Sequence, residues 1–406
     1  MSRRLLAATR LFDGQTLHDD MAVVTQGGVI LDVIPRPADL RPRDGILMPG
    51  FVDLQVNGGA GLMVGAGTDA QALARICAAH RALGCAGVLP TLITDTPAVT
   101  AAVLEAGIRA TGTPGFLGLH LEGPHLDPRR AGAHDPALIR PMEDADLARL
   151  IAAAAHLPAL MVTLAPESAS ADQIAALAQA GVIVSLGHSA CTLDQAQAAF
   201  DAGARAATHL FNAMSQMGHR EPGLVGAVLS GEAHAGVIAD GVHVDPAALR
   251  VALRARRHGL FLVSDCMAVA GTRMTEFTLQ GRAILRRDGR LTLADGTLAG
   301  ADLRLDRAVR GAVAAGADLA RALAMASSVP ADLIGAPLGR IAGGGRSSVQ
   351  SARPCDRVAG VTIRRCQTNS AAATDRPTIS VIHPTAVIDS AAPIRIRRTT
   401  IEACPK

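Results

Sequence analysis

The sequence predicts an α/β protein whose main body is a (β/α)8 TIM-like barrel, preceded by a segment of short β strands. From residue 48 onward, an apolar strand that ends in polar residues alternates with an Ala- and Leu-rich helical stretch. Eight such units fit within about 215 residues, inside the size range of this barrel. Because the same alternation also builds an open doubly wound sheet, that fold is the alternative.

Composition places the chain among globular proteins and excludes several partners. Of its 406 residues, 49% are hydrophobic and 18% are charged, and the net charge is only +3. A charge this small gives no electrostatic footprint for nucleic acid. No run of about 20 uninterrupted apolar residues predicts a membrane span. We therefore expect neither nucleic acid nor a membrane as a partner.

Lysine, tyrosine and cysteine usage limits the chemistry further. Lys406 is the only lysine and tyrosine is absent. No internal Schiff-base lysine, carbamylated-lysine metal bridge or tyrosine acid is therefore available. The seven cysteines are odd in number, scattered and without a C-x-x-C pair, a pattern typical of reduced thiols in a cytosol. These features predict a cytoplasmic protein.

The predicted elements follow in chain order. Before residue 48, alternating apolar residues and Asp-Gly, Gly-Gly and Pro turns indicate strands at Arg4–Phe12, Met21–Thr25 and Gly28–Val33. The barrel strands are predicted at Phe51–Val56, Gly87–Leu89, Phe116–Leu121, Leu160–Leu164, Val182–Leu186, Ala206–Leu210, Ala235–Ala239 and Leu260–Ser264. The helices between them include Asp69–Leu83, Asp144–Ala155, Asp172–Ala180, Leu193–Ala202 and Pro246–Arg257.

The pattern changes after the last barrel strand. Asp-Gly turns at 288–289 and 295–296 predict a hairpin-like insertion from Phe277 to about Leu298, after which helices resume around Leu303–Ala314 and Leu319–Ala326. From Gly343 onward the chain is rich in Gly, Ser, Arg, Thr and Pro, and only Val358–Ile363 has the pattern of a strand. We expect the tail after about residue 365 to be poorly packed.

Polar side chains gather at the predicted carboxyl ends of the barrel strands. In a parallel barrel these ends meet at one rim, where active sites lie. So many polar residues on otherwise apolar strands are better explained by a metal site than by packing. They are Asp53, Gln55 and Asn57 on the first strand, His120 and Glu122 on the third, His188 on the fifth, His209 and Asn212 at the sixth, His243 just past the seventh, and Asp265 on the eighth.

Glu122, His188 and His209 supply one carboxylate and two imidazoles. This set suits Zn²⁺, Fe²⁺ or Mn²⁺ and leaves a coordination position open for water, which indicates catalysis. Asp265 would then take a proton from that water and pass it to a leaving nitrogen. The alternatives are histidines that are merely buried and hydrogen-bonded, and an Asp265 that caps a helix or pairs with a cation.

Six motifs together resemble one known family. They are HLEGP at 120–124, GHS at 187–189, THLFNAM at 208–214, REPG at 220–223, DGVH at 240–243 and LVSD at 262–265. In this order they resemble the N-acetylglucosamine-6-phosphate deacetylases of the amidohydrolase superfamily, and the resemblance runs from about Met48 to Arg340. It implies hydrolysis of the acetamide of N-acetylglucosamine 6-phosphate to acetate and glucosamine 6-phosphate.

The resemblance also implies a domain plan and a homodimer. Both chain ends of the family build a small β-sandwich domain beside the barrel. By position, residues 1–47 would form its N-terminal part, 48–340 the barrel and 341–365 an incomplete C-terminal part, leaving 366–406 as an atypical tail. The family usually closes this domain with a strand of Ala-Asp-Leu-Val type, which this chain lacks before Val358. Missing strands would leave an unpaired edge, a stability and aggregation liability.

Site roles follow from the resemblance residue by residue. Glu122, His188 and His209 would hold one divalent metal, with Zn²⁺ ahead of Fe²⁺, Mn²⁺ or Co²⁺. Asp265 would be the general acid and base, and His243 would contact the substrate and polarise its carbonyl. Further substrate contacts fall to Arg220, Asn212 and the Ala213 backbone at the phosphate, and to Ala133 and His134 in the loop RAGAH at the sugar. Gln55 and Asn57 on the first barrel strand are also expected to contact the substrate.

The resemblance leaves some alternatives open. Some relatives carry His-x-His on the first strand for a second metal, whereas this chain has Gln55 and Asn57 there, which resembles the single-metal branch. Cys266 follows the base, either as a small buried thiol or as a redox-sensitive position. The competing functions are another amidohydrolase acting on a related N-acyl amino sugar or a cyclic amide, and a non-catalytic sensor of phospho-amino-sugars.

Overall fold

The computed structural model describes residues 3–342, 360–365 and 377–381, and its first sheet is built from the N-terminal segment. β1 pairs with β3 and β2 in antiparallel fashion and with β5 in parallel, and β4 pairs with β3. The three strands predicted from the alternating pattern are thereby confirmed. The five strands are β1 (Arg3–Phe12), β2 (Leu17–Asp19), β3 (Met21–Gln26), β4 (Val29–Pro35) and β5 (Arg43–Pro49).

Eight parallel strands follow and form the barrel. Along the chain, a two-stranded ribbon of β7 and β8 stands between the first and second barrel strands, which pair directly with each other in the sheet. The barrel strands are fully buried along most of their length because both faces are covered. The bounds are β6 (Phe51–Val56), β7 (Gly58–Gly59), β8 (Leu62–Met63), β9 (Cys85–Ile93), β10 (Leu119–Glu122), β11 (Leu160–Leu164), β12 (Ile183–Leu186), β13 (Ala206–Ala207), β14 (His234–Val237) and β15 (Leu260–Leu262).

The ends of this sheet meet and close the barrel. Its strand order is β6-β9-β10-β11-β12-β13-β14-β15. Beyond β15 the Asp265 amide donates to the Gln55 carbonyl at 3.0 Å, and the Asn57 amide donates to the Cys266 carbonyl at 2.9 Å. These hydrogen bonds join the last strand to β6, which confirms the (β/α)8 barrel and excludes the open doubly wound sheet.

β13 and β15 end earlier than predicted, each shortly before a turn of the backbone. β13 covers only the first two residues of the predicted Ala206–Leu210, and β15 ends before the predicted Ser264. His209 has φ of +33° and Asp265 has φ of +48°, a left-handed conformation that a strand cannot contain. The turn rather than the strand therefore carries each of these side chains.

The helices lie between the barrel strands and after the last of them. The predicted start at Asp69 is one residue early because its side chain is the N-cap of the first helix and accepts from the Ala72 amide at 2.7 Å. None of the described helices is both long and apolar enough to cross a membrane. The bounds are α1 (Ala70–Ala82), α2 (Pro97–Ala110), α3 (Asp144–Ala154), α4 (Ala171–Gln179), α5 (Leu193–Asp201), α6 (Gly223–Ser230), α7 (Pro246–Ala255), α8 (Leu305–Ala314), α9 (Leu319–Met325) and α10 (Ser328–Leu333).

The predicted hairpin-like insertion is an antiparallel sheet of four strands. It packs Phe277, Ile284 and Leu291 against Met267 and Val269, next to the barrel mouth. The turn at Gln280 and Gly281 joins its first two strands, with φ of +47° and +78°, as two-residue hairpins require. The strands are β16 (Glu276–Leu279), β17 (Arg282–Arg287), β18 (Arg290–Thr292) and β19 (Leu298–Ala301).

Two further strands extend the N-terminal sheet. β20 (Gly360–Arg365) pairs antiparallel with β5, and β21 (Pro377–Val381) pairs with β20. The predicted strand at Val358–Ile363 is confirmed with a shifted start. The expectation of an unpaired edge is wrong for β5, because β20 supplies its neighbour. β21 was not predicted, since it falls inside the tail assigned to 366–406, and the rest of that tail lies outside the described residues.

Candidate active site

The site is built on turns that directly follow barrel strands. His188, His209 and Asp265 come after β12, β13 and β15 and have φ of +47°, +33° and +48°. This left-handed conformation costs a non-glycine residue about 1 kcal/mol or more. Such strain persists only where the surroundings impose it, and it is commonest at functional sites. The turns place all three side chains at the carboxyl rim of the barrel.

Three side-chain atoms converge at this rim. The Glu122 Oε1 atom lies 2.9 Å from His209 Nε2 and 3.3 Å from His188 Nε2, and the two ring nitrogens are 3.1 Å apart. All three residues are at most 5% exposed. Ligands about 2.1 Å from a tetrahedral ion lie about 3.4 Å apart. The observed spacing and the donor set of one carboxylate and two imidazoles therefore fit a divalent metal.

The protonation of this trio also suits a metal. His188 Nδ1 lies 2.7 Å from the Arg130 carbonyl oxygen, which can only accept a hydrogen bond. Nδ1 therefore carries a proton, and Nε2 is the ring nitrogen that faces Glu122 and is placed to ligate a metal. Burial alone would raise the pKa of Glu122, but the neighbouring imidazoles of His188 and His209 hold that pKa well below its ordinary value. Glu122 is therefore a carboxylate ready to ligate a cation.

Asp265 lies beside the trio and is linked to it by amide side chains. Its Oδ1 atom accepts from Asn57 Nδ2 at 2.7 Å and from Gln55 Nε2 at 3.1 Å, and Gln55 Nε2 also lies 3.1 Å from Glu122 Oε1. Burial, helped by the negative charge of Glu122, raises the pKa of Asp265 to about 6. A carboxyl group with this pKa can both accept and return a proton near neutral pH.

His134 also lies in this cluster. It stands beside Glu122 and His188, although only a contact with the sugar was predicted for it. Its Nε2 atom lies 3.8 Å from Glu122 Oε2, and its ring centre lies 4.4 Å from that of His188. Glu122, His134 and His188 bring ligand atoms within 4.8 Å of one another. Burial and the neighbouring His188 lower the pKa of His134 to about 3, so its ring is neutral.

His243 and Asn212 lie on the loops beyond β14 and β13. His243 Nδ1 lies 2.7 Å from Asp240 Oδ2, which leaves Nε2 as the free ring nitrogen. Asn212 Nδ2 donates to the carbonyls of His209 and Leu210 at 3.2 and 3.3 Å, so its amide oxygen stays open. Both loops thus hold polar side chains in fixed orientations near the rim.

Arg220 and Ala213 complete the predicted site residues, and Arg220 stands apart from the others. Ala213 is half-buried with φ of +48°. Arg220 is exposed in the loop before α6, and no ion pair with a carboxylate is found for it among the described residues. Its charge is therefore available, but the structure does not bring it into contact with the buried cluster.

His120 has an internal role, although its position at the end of β10 suggested the site. Its Nδ1 atom lies 3.0 Å from the Leu54 carbonyl and its Nε2 atom 2.7 Å from Thr163 Oγ1. Both ring nitrogens are thus occupied. Burial lowers the pKa of His120 to about 4, so it is a neutral, hydrogen-bonded core residue. For His120, the alternative of a histidine that is merely buried and hydrogen-bonded is therefore the correct one.

Sequence reasoning missed the residues that support the His134 loop. Thr94 Oγ1 lies 2.8 Å from His134 Nδ1, Gln280 Nε2 donates to the Thr94 carbonyl at 2.8 Å, and the Arg282 guanidinium donates to the Ala133 carbonyl. Gln280 and Arg282 stand at the tip of the β16–β17 hairpin. The turn residues predicted a hairpin there, but no local pattern could show which loop its tip would meet.

A closed parallel barrel with a carboxylate and imidazoles converging at its carboxyl rim defines the class of barrel hydrolases that use a metal. The chain belongs to the amidohydrolase family, whose family model matches residues 46–346. The family expected from the motifs is thereby confirmed.

Curated relatives and solved structures agree with this assignment. The chain is 40% identical over 356 residues to N-acetylgalactosamine-6-phosphate deacetylase of Escherichia coli O157:H7, covering 85% of this chain and 94% of that protein. It is 39% identical over 346 residues to N-acetylglucosamine-6-phosphate deacetylase of Homo sapiens, covering 79% and 84%. A mutant N-acetyl-D-glucosamine-6-phosphate deacetylase of Mycobacterium smegmatis, solved in complex with N-acetyl-D-glucosamine-6-phosphate, matches with a TM-score of 0.78 at 33% identity, covering 86% and 94%.

Proposed function

We propose that this protein hydrolyses the acetamide of N-acetylglucosamine 6-phosphate to glucosamine 6-phosphate and acetate. The observation that carries the proposal is the convergence of Glu122, His188 and His209 within 3.3 Å of one another, with Asp265 joined to them through Gln55. The three residues would hold one divalent ion, with Zn²⁺ first among Zn²⁺, Fe²⁺, Mn²⁺ and Co²⁺. The amide nitrogen of Gln55 between Glu122 and Asp265 supports a single ion, because it donates hydrogen bonds rather than ligating a metal.

The side chains around the ion would share the work of hydrolysis. When bound, the ion supplies Lewis acidity toward the amide carbonyl and the attacking water. Asp265 accepts a proton from that water and returns it to the leaving nitrogen, a transfer for which its raised pKa is suited. Asp240 fixes the His243 ring so that its free Nε2 can meet the substrate carbonyl. His134, held by Thr94, would contact the sugar.

Acetate release tests this function directly. We expect the purified protein to release acetate from N-acetylglucosamine 6-phosphate, and a chelator to abolish turnover until Zn²⁺, Fe²⁺, Mn²⁺ or Co²⁺ is restored, because the ion activates both carbonyl and water. Coupled detection of acetate with metal analysis of the same sample measures both. Binding of the phospho-sugar without turnover at full metal loading would instead favour the sensor alternative.

N-Acetylgalactosamine 6-phosphate is the second candidate substrate, because a relative at 40% identity is named N-acetylgalactosamine-6-phosphate deacetylase. The two sugars differ only in the configuration of one hydroxyl, and both present the same acetamide and phosphate to the residues described above. Measuring kcat/KM for both sugars in parallel decides which of them the site prefers. An unphosphorylated N-acetyl sugar in the same series tests the related amidohydrolase activities.

Arg220 would bind the phosphate together with Asn212 and the Ala213 backbone. Arginine donates two parallel hydrogen bonds to a phosphate, and the Arg220 side chain is exposed with no described carboxylate partner. We expect Arg220→Ala to raise KM for the phospho-sugar by about 100-fold, since charged hydrogen bonds contribute about 1.5–3 kcal/mol each, with kcat changed far less. Steady-state kinetics measure the changes in KM and kcat separately.

The matched control is Arg109→Ala, which removes another exposed arginine, in the last turn of α2, where its partner is Glu105. It should leave both KM and kcat as in the unmodified protein. A KM for the phospho-sugar that Arg220→Ala does not change would contradict the phosphate role. An equal loss with the unphosphorylated sugar would contradict it too.

We also infer a cytoplasmic homodimer. The four cysteines in the described ranges are free and buried, which supports a reducing compartment. The motif resemblance supports the dimer. The pairing of β20 with β5 supports assigning residues 1–47 and 341–365 to one small β domain beside a barrel of residues 48–340.

A further inference from the structure

A second group of metal-ligating side chains lies outside the active site. It consists of Asp53 on β6, His80 on α1, Cys85 at the start of β9 and Cys266 after β15, and we name it the Asp53 cluster. None of the four is more than 3% exposed. They come from four separate elements and meet beside the seam where β6 joins the last barrel strand. The mechanism proposed above uses none of them.

Three members of the Asp53 cluster bring their ligand atoms close together, and the fourth, Cys266, lies beside His80. One oxygen of Asp53, one ring nitrogen of His80 and the sulfur of Cys85 all lie within 4.8 Å of one another. His80 Nε2 lies 3.6 Å from the sulfur of Cys266. A tetrahedral Zn²⁺ with Zn–N of about 2.1 Å and Zn–S of about 2.3 Å places nitrogen and sulfur about 3.6 Å apart.

Asp53 supplies an independent sign that a cation belongs here. Its Oδ1 atom accepts from the amides of Gln55 and Ser264 at 3.3 and 3.2 Å, but its buried Oδ2 atom has no hydrogen-bond partner among the described residues. A buried carboxylate without a partner is costly unless a charge of opposite sign meets it. Burial raises the pKa of Asp53 to about 7 and lifts those of both cysteines, which shows how poorly this pocket tolerates uncompensated negative charge.

We propose that the Asp53 cluster binds a second divalent ion, Zn²⁺, in a closed structural site with Asp53, His80, Cys85 and Cys266 as ligands. Sulfur, imidazole nitrogen and carboxylate oxygen are all donors that Zn²⁺ accepts, and four protein ligands would leave no open coordination position. On binding, each thiol loses its proton to solvent. His80 gives up the Nε2 proton that it donates to the Gly58 carbonyl at 2.9 Å and takes up a proton at Nδ1, so that the ring stays neutral and Nε2 can ligate the metal. The ion would tie α1 and β9 to the seam that positions Asp265.

Cobalt substitution tests the second site without relying on activity. The catalytic trio contains no sulfur, so a sulfur-to-cobalt charge-transfer band in the Co²⁺-loaded protein would report the Asp53 cluster alone. We expect that band, and one ion per chain beyond the catalytic ion, in the unmodified protein. Cys266→Ser and Cys85→Ser should each weaken or abolish the band and lower the metal content by one ion. Cys191→Ala, which removes another buried free thiol, should do neither.

Two further variants keep the result decisive. Glu122→Gln should lose the catalytic ion but keep the cobalt–thiolate band, so failure of the proposed activity and failure of this site are distinguishable. Asp53→Asn preserves the shape of the side chain and should weaken the binding of the second ion. This variant keeps the test available if a cysteine variant fails to fold. A Co²⁺-loaded unmodified protein with one ion per chain and no thiolate band would overturn the proposal, as would a band whose intensity is unchanged in Cys266→Ser or in Cys85→Ser.

Discussion

Replacing Asp265 with Asn is expected to lower kcat about 1000-fold while the catalytic metal stays bound. Asn preserves the hydrogen-bonding shape that Gln55 and Asn57 recognise, but it can neither accept a proton from water nor return one to nitrogen. A positioned acid or base contributes about 10²- to 10⁴-fold, and Asp265 would serve as both. Acetate release at saturating substrate measures the loss, and metal analysis measures the ion.

The control for this variant is Asp302→Asn, which removes a carboxylate that pairs with Arg286 at 2.8 Å outside the catalytic cluster. It is expected to leave kcat unchanged, with any effect confined to thermal stability. If Asp265→Asn kept more than about a tenth of the activity at full metal loading, Asp265 would not be the proton carrier, because the smallest expected effect is about 100-fold.

Replacing Glu122 with Gln is expected to remove the catalytic ion and with it nearly all activity. Glu122 is the one anionic group of the trio and lies within 3.3 Å of both ring nitrogens. A neutral amide would leave only two imidazoles to balance the charge of a divalent cation. Since the ion contributes several kcal/mol of transition-state stabilisation, kcat/KM should fall by about 1000-fold or more.

The same acid-to-amide change at Glu105, on the exposed surface of α2, is the matched control and should alter neither metal content nor kinetics. Excess metal should partly restore Glu122→Gln, because the two imidazoles remain. Full activity of Glu122→Gln at stoichiometric metal would contradict the assignment of this residue as a ligand, whatever the role of Asp265.

Much of the fold could be predicted because its signals are local. The alternation of apolar strands with Ala- and Leu-rich helices depends on residues a few positions apart, and so do the Asp-Gly turns of the insertion. Strand lengths were less predictable: β13 and β15 stop early because His209 and Asp265 adopt left-handed backbone, which their residue types do not announce. β21 was missed because it lies in a Ser-, Thr- and Arg-rich stretch.

The candidate site could be predicted in part for the same reason. Glu122, His188, His209 and Asp265 could be singled out because each stands at or just after the end of a strand, and the carboxyl ends of parallel strands share one rim. His120 obeys the same rule yet is a core residue, because Thr163 and the Leu54 carbonyl occupy its ring nitrogens. Only the folded chain shows which strand-end residues face each other and which face the core.

By itself the sequence determined the barrel, the family motifs and the strand-end residues offered to a metal. The tertiary structure decided which atoms meet: Gln55 bridging Glu122 and Asp265, the β16–β17 hairpin holding the His134 loop, and the Asp53 cluster at the barrel seam. The physical reason is sequence separation. Gln55 and Asp265 are 210 residues apart, and their contact exists only because closure of the barrel brings its first and last strands together.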